Sequence, residues 1–193
     1  MSRDNAAAAS VTSLKSAFLA AVIASAISFV TLPPVTAVFS SLLAGLAIWI
    51  AVVDLEHLVI PDLANAAVAI LGLAMIAVET PKDGLLEEVS DALMRAIVAG
   101  GLLLLVRLVF ARFAGKDGLG LGDVKLMAAG AIVLSWASLP YALVLAAVAA
   151  IMAVVVRGIR EGRWLGRETE IPFGAFLAPA IWAAFLLEQL YLL

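Results

Sequence analysis

Two carboxylates stand out by where they fall in the chain. Asp54 ends the apolar run Ile48–Val53, and Asp123 closes Gly118-Leu119-Gly120-Leu121-Gly122-Asp123 just before Val124-Lys125-Leu126 opens another apolar stretch. A carboxylate at a membrane boundary is costly unless it is hydrated or paired, so each is a candidate for function. Each alone also has an ordinary explanation. Asp54 suits a helix end in the headgroup layer, and Asp123 suits a helix N-cap, where Asp is favoured. Together they permit chemistry. Two close carboxyls resist ionising at once, so one keeps a proton while the other acts as a base. Such a pair can activate a water and protonate a leaving amine, which is peptide hydrolysis without a covalent intermediate. Gly118, Gly120 and Gly122 let a peptide backbone approach Asp123 closely. Their spacing fits neither a dinucleotide fingerprint nor a P-loop. His57 is the single histidine, there is no cysteine, and no nucleophile elbow appears. Serine and cysteine nucleophile chemistry therefore lack support.

Several neighbours are candidates for tuning the site or touching a substrate: Glu56, His57, Asp62, Gly120, Gly122 and Lys125. His57 also reads as a solvated boundary residue. Asp62 follows Pro61 and suits the cap of the next segment. Lys125, two residues past Asp123, points to a different helix face. It is expected to snorkel to the interface or to contact substrate. A divalent-cation site built from Asp54, Glu56, His57 and Asp123 is also chemically possible.

The elements that must position these groups are membrane helices. The chain is 65% apolar, with a mean hydropathy of +1.15. Its apolar residues come in continuous runs, several near the about 20 residues needed to cross a bilayer. Seven segments are expected: Leu14–Leu32, Val35–Val53, Leu63–Val78, Ala92–Phe113, Val124–Ala137, Leu139–Val156 and Phe173–Leu193. The fold class is all-α, a polytopic integral membrane bundle of about six to seven transmembrane segments. Residues 1–34 form the tail and first helix, and 35–193 the core. Ala24-Ser25-Ala26 can mimic a signal cleavage site, but a retained first helix is expected because the rest of the chain is also membrane-embedded. Pro33-Pro34 and Ser138-Leu139-Pro140 read as tight turns. Leu85–Leu93 reads as an amphipathic stretch along the membrane surface. The net charge of −3 offers no case for nucleic acid. Lipids are the expected surroundings.

With a cytoplasmic N-terminus, ten basic residues lie inside: Arg3, Lys15, Arg107, Arg112, Lys116, Lys125, Arg157, Arg160, Arg163 and Arg167. Only Lys82 and Arg95 lie toward the outside. That asymmetry satisfies the positive-inside rule and places Asp54 and Asp123 on the same, cytoplasmic face. Glu188, near the outer end of the last segment, reads as interfacial.

Three stretches resemble the signatures of the type IV prepilin peptidases. Asp54-Leu55-Glu56-His57-Leu58-Val59-Ile60-Pro61-Asp62 looks like the first. Gly115-Lys116-Asp117-Gly118-Leu119-Gly120-Leu121-Gly122-Asp123-Val124-Lys125-Leu126 looks like the GxGD element, and Ile171-Pro172-Phe173-Gly174-Ala175-Phe176-Leu177-Ala178 resembles the C-terminal signature. Ala175 departs mildly, since many relatives have proline there. The resemblance covers Val35 to the C-terminus. It implies an aspartic endopeptidase of the bacterial inner membrane with Asp54 and Asp123 as the catalytic pair. Its substrates would be prepilins or pseudopilins, cut on the cytoplasmic side after a glycine that ends a basic leader. No metal or cofactor is implied. Larger members carry an N-terminal, often cysteine-bearing methyltransferase domain. About 13 residues precede Leu14 and there is no cysteine, so a peptidase-only member is expected.

Helix dipoles suggest that Asp54, at a helix C-terminus, holds the shared proton more than Asp123, at an N-terminus. Glu56, Asp62 and Asp117 could attract the basic leader. The Ile171–Gly174 segment either walls the site or receives the apolar helix of the substrate. Competing readings are a presenilin or signal-peptide-peptidase relative, a small transporter, and a non-catalytic assembly protein. Val53 before Asp54 and Pro172-Phe173-Gly174 argue against the first. Carboxylates at segment ends rather than the midplane argue against the second.

Overall fold

The computed structural model describes residues 3–114, 118–162 and 171–191. Among these it forms seven helices: α1 (Arg3–Thr31), α2 (Pro34–His57), α3 (Asp62–Glu79), α4 (Leu85–Ala114), α5 (Leu121–Val133), α6 (Ser138–Glu161) and α7 (Gly174–Tyr191). Lys116, Asp117, Arg163 and Arg167 lie outside the described residues. Five helices, α2, α3, α4, α6 and α7, are long and apolar enough to cross a membrane. The chain is a polytopic helical membrane protein.

Helix ends follow the prolines. Pro33 caps α2 and Pro34 occupies its first turn, where a missing N–H leaves no bond unmade. Pro61 likewise precedes α3. Two expectations are corrected here. Leu85–Leu93 is not a separate surface helix but the first turns of α4. Its polar residues are used internally: buried Arg95 pairs with Asp91 and Glu88 and donates to the Ala131 carbonyl on α5 at 3.2 Å. Asp91 in turn accepts from Trp136 Nε1 at 3.0 Å. The fifth segment ends at Val133 rather than Ala137. The break falls at Leu134–Ala137, and Ser138-Leu139-Pro140 begins α6 instead of separating two helices. Proline fits there because first-turn N–H groups have no helical partner.

α5 stands at the centre, flanked by α3, α4 and α7. Small residues bring these neighbours close, as membrane helices require where lipid competes equally for apolar surface. Gly72 of α3 meets Ile132 and Val133, and Gly100 of α4 meets Ala128. The helices sort into two groups. α3, α4 and α5 pack on one another, as do α1, α2, α6 and α7. Between the groups runs a seam where α2 meets α3 and α5 meets α7, with less extensive packing. α1 joins the outer side of α2: the Ser28 hydroxyl bonds Ser40 at 2.8 Å, and Ser40 also accepts from Trp182 Nε1 of α7 at 3.1 Å. Outward faces of α4 and α6 carry exposed Leu, Ile, Val and Phe, the surface expected against lipid.

Candidate active site

The site is assembled by the ends of α2, α5 and α7. Asp54 lies in the last turn of α2, where its carbonyl accepts the Leu58 N–H at 2.9 Å. The helix stops there because Leu58 turns left-handed, with φ 55° and ψ 32°. Glycine is the usual residue for that conformation, and an L-residue in it costs about 1–2 kcal/mol. The turn sends Val59 outward and brings Ile60 back into the bundle, 6% exposed.

Asp54 is buried, and its carboxylate accepts the Ala175 N–H at 2.8 Å in the first turn of α7. The Gly174 N–H faces the same group. Asp123 is also buried, in the first turn of α5. It is not the N-cap itself. Gly120 takes that position, and Asp123 reaches back to accept the Gly120 N–H at 3.2 Å. Among the described residues, Asp123 Oδ1 has no hydrogen-bond partner.

The two carboxyls are close enough for the charge on one to act on the other. Ile60 ties their two supports together. A Cβ added at Gly122 would stand 3.1 Å from Ile60 Cβ. One added at Gly174 would collide with Ile60 Cδ1 and sit 3.0 Å from Asp54 Oδ2. Both glycines are therefore required for close approach rather than for loop flexibility. The helix ends fall as expected, with Asp54 in the last turn of α2 and Asp123 in the first turn of α5. The N-terminus of α7, which also faces Asp54, opposes the contrast expected to leave the shared proton on Asp54.

Lys125 pairs with Asp62 at 2.7 Å, joining the start of α3 to the first turn of α5. Asp62 thus makes an ion pair and not the expected cap, since Pro61 precedes α3 without any side-chain cap bond. Glu56 and His57 are exposed on the last turn of α2. Among the described residues no three His, Asp or Glu side chains gather as a metal-binding group. Below the Asp62–Lys125 pair runs a groove of about 360 Å³, lined by Asn65, Ala69, Ala96, Ala128 and Ile132. Glu188 is half-buried at the far end of α7 and accepts the Ser135 N–H at 3.0 Å.

Three contributors to the site carry no chemical signature in the sequence: Ile60 and the main-chain N–H groups of Gly174 and Ala175. Ile60 follows Leu58 and Val59 between His57 and Pro61, and nothing in residue type sets it apart from them. The N–H groups leave only the helix-start pattern Pro172-Phe173-Gly174.

Comparison with known proteins points the same way. No solved structure matches the chain. It is similar to a prepilin leader peptidase/N-methyltransferase of Pseudomonas aeruginosa, at 33% identity over 135 residues, covering 69% of this chain and 44% of that protein. It is similar to leader peptidase HopD of Escherichia coli, at 33% over 142 residues, covering 74% of this chain and 88% of that protein. A prepilin leader peptidase/N-methyltransferase of Aeromonas hydrophila shares 31% over 153 residues, 77% of this chain and 50% of that protein. The chain thus spans about half the length of the bifunctional relatives it matches. The profile of the type IV leader peptidase family matches residues 41–155, a stretch that holds both carboxylates, Ile60 and the Asp62–Lys125 pair. On these sequence matches, this chain belongs to the type IV leader peptidase family.

Proposed function

We propose that the protein is a membrane aspartic endopeptidase with Asp54 and Asp123 as its catalytic pair. Its substrates are prepilin-like or pseudopilin-like proteins, from which it removes a basic leader after glycine. Cleavage takes place at the cytoplasmic face of the bacterial inner membrane. The observation that carries this reading is that two buried carboxyls from helices far apart in sequence stand on supports joined by Ile60, Asp54 against the first turn of α7 and Asp123 beside Gly122 of α5. One carboxylate takes a proton from water as its oxygen attacks the scissile carbonyl carbon. The other carboxyl gives its proton to the leaving nitrogen as the C–N bond breaks. The roles belong to the pair. The unpartnered Asp123 Oδ1 supports its use as an acceptor. Glu56, His57, Asp62, Gly120, Gly122 and Lys125 surround the pair as residues that tune it or meet the leader. Exposed acidic groups such as Glu56 favour a basic leader through local potential.

A processing assay tests the reading. Membranes holding wild type, Asp54→Asn or Asp123→Asn at equal abundance are mixed with a prepilin bearing a Gly-terminated leader. Wild type is expected to shorten the prepilin and both variants to leave it intact. Cleavage by both variants would overturn the assignment.

A further inference from the structure

Asp54 and Asp123 belong to different helix groups. Asp54 is held by α2 and α7, Asp123 by α5 with α3 and α4 behind it. Their separation is therefore a property of the seam between the groups. At that seam, beside the carboxyls, stands one side chain that touches both supports. Ile60 meets Gly122 on α5 and Gly174 on α7, and it is buried although it lies in a connection between helices. Leu58 and Val59, its neighbours in that connection, are exposed. A loop that turns two apolar residues outward and one inward at a left-handed bend is shaped to insert that one residue. The space is matched on both sides, since neither glycine tolerates a Cβ without displacing Ile60.

We infer that Ile60 is a positioning residue, a wedge that sets the distance between Asp54 and Asp123 across the seam. This rests on the proposed peptidase reading for its kinetic consequence but not for its geometric one. A carboxyl pair moving a proton through one water depends steeply on spacing, and a misplacement of about 1 Å can cost about a hundredfold in rate. Removing the wedge lets the groups drift. Enlarging what it presses against forces them apart or tilts Asp54.

Two measurements separate this role from a general packing role. The chain has no cysteine, so spin labels at Leu55→Cys and Leu121→Cys, both exposed, report the spacing beside each carboxyl. Ile60→Ala is expected to shift or broaden that distance distribution and to lower kcat about tenfold or more with KM little changed. The second measurement uses the collision between Gly174 and Ile60 Cδ1. Gly174→Ala alone is expected to lower kcat at least about tenfold, and Ile60→Val alone to stay within about threefold of wild type. Combined, Ile60→Val removes the colliding methyl, so the double variant recovers part of the lost kcat. Recovery is partial because the new methyl still crowds Asp54. Effects that multiply without recovery, or an unchanged distance distribution in Ile60→Ala, overturn the inference. If Ile60→Ala does not accumulate in membranes, the Gly174→Ala and Ile60→Val cycle decides alone. If wild type processes no prepilin, the peptidase reading fails, and the label distances still decide whether Ile60 sets the spacing.

Discussion

Asparagine in place of Asp54 or Asp123 keeps the volume and some of the hydrogen bonding but removes the exchangeable carboxyl proton. Each substitution is expected to lower cleavage by roughly 10²–10⁴-fold, the range contributed by a general acid or base. Neither is expected to lower the melting temperature in detergent, because Asn can still accept the Ala175 or Gly120 N–H. The Asp62–Lys125 pair behaves differently. Both side chains are more than half exposed, so Lys125→Met should change stability by less than about 1 kcal/mol, measured by thermal unfolding in detergent. At this scale the sequence was informative where residue type is rare in context. A carboxylate at the edge of an apolar run is conspicuous, so Asp54 and Asp123 stand out as candidates, and both are buried at helix ends. Ile60 does not stand out, because one more isoleucine among apolar residues has no distinguishing chemistry. The Ala175 N–H does not either, since every residue but proline carries one. The role of Asp62 was misread for a related reason: a residue after proline looks like a cap, and its partner Lys125 is distant in sequence.

Helices α3, α4 and α7 reach α5 through glycine or alanine, so packing there is sensitive to single methyl groups. A Cβ at Gly130 would overlap Ile181 of α7. Gly130→Val is expected to destabilise the bundle by about 1–3 kcal/mol, the usual cost of overpacking, seen as a lower midpoint in a denaturation titration. Ser40→Ala removes the hydroxyl that bonds Ser28 of α1 and accepts from Trp182 of α7. Its cost should be modest, near the roughly 0.6 kcal/mol average for interhelical hydrogen bonds in membranes. The helices themselves were legible because long apolar runs have few alternatives in lipid. Their boundaries were less so. The charges of Leu85–Leu93 resemble a surface helix when their partners are unknown. Once buried Arg95 is seen bonded to half-exposed Asp91 and Glu88 and to the Ala131 carbonyl, those carboxylates serve α4 and its contact with α5.

For the whole molecule, the distribution of Lys and Arg predicts that the site faces the cytoplasm. Single cysteines introduced at His57 and at Asp83, on opposite ends of α2 and α3–α4, test this in intact cells and inverted vesicles. A membrane-impermeant thiol reagent should reach the cysteine at 57 only from the cytoplasmic side and that at 83 only from the other. The reverse pattern would overturn the cytoplasmic placement of the proposed site. Sidedness is an expectation that the sequence supplies through its charge counts. The division into two helix groups is not legible there, since α2 and α7 are neighbours only after folding.

The hydrogen bond from Ser135 to Glu188 joins the far ends of α5 and α7. Those two helices carry, at their near ends, the amides and carboxylate that define the site. Asp123 lies in the first turn of α5, which runs to Val133, so the bond acts about 15 Å or more from it. It works as a datum from which both rods are measured: shifting one rod along the other at that level would change the height of Asp123 against Ala175 and hence against Asp54. The height of Asp123 against α7 is thus gauged from the end of α5 opposite the site. A change that pulled Glu188 from Ser135 would detune a site that it never touches.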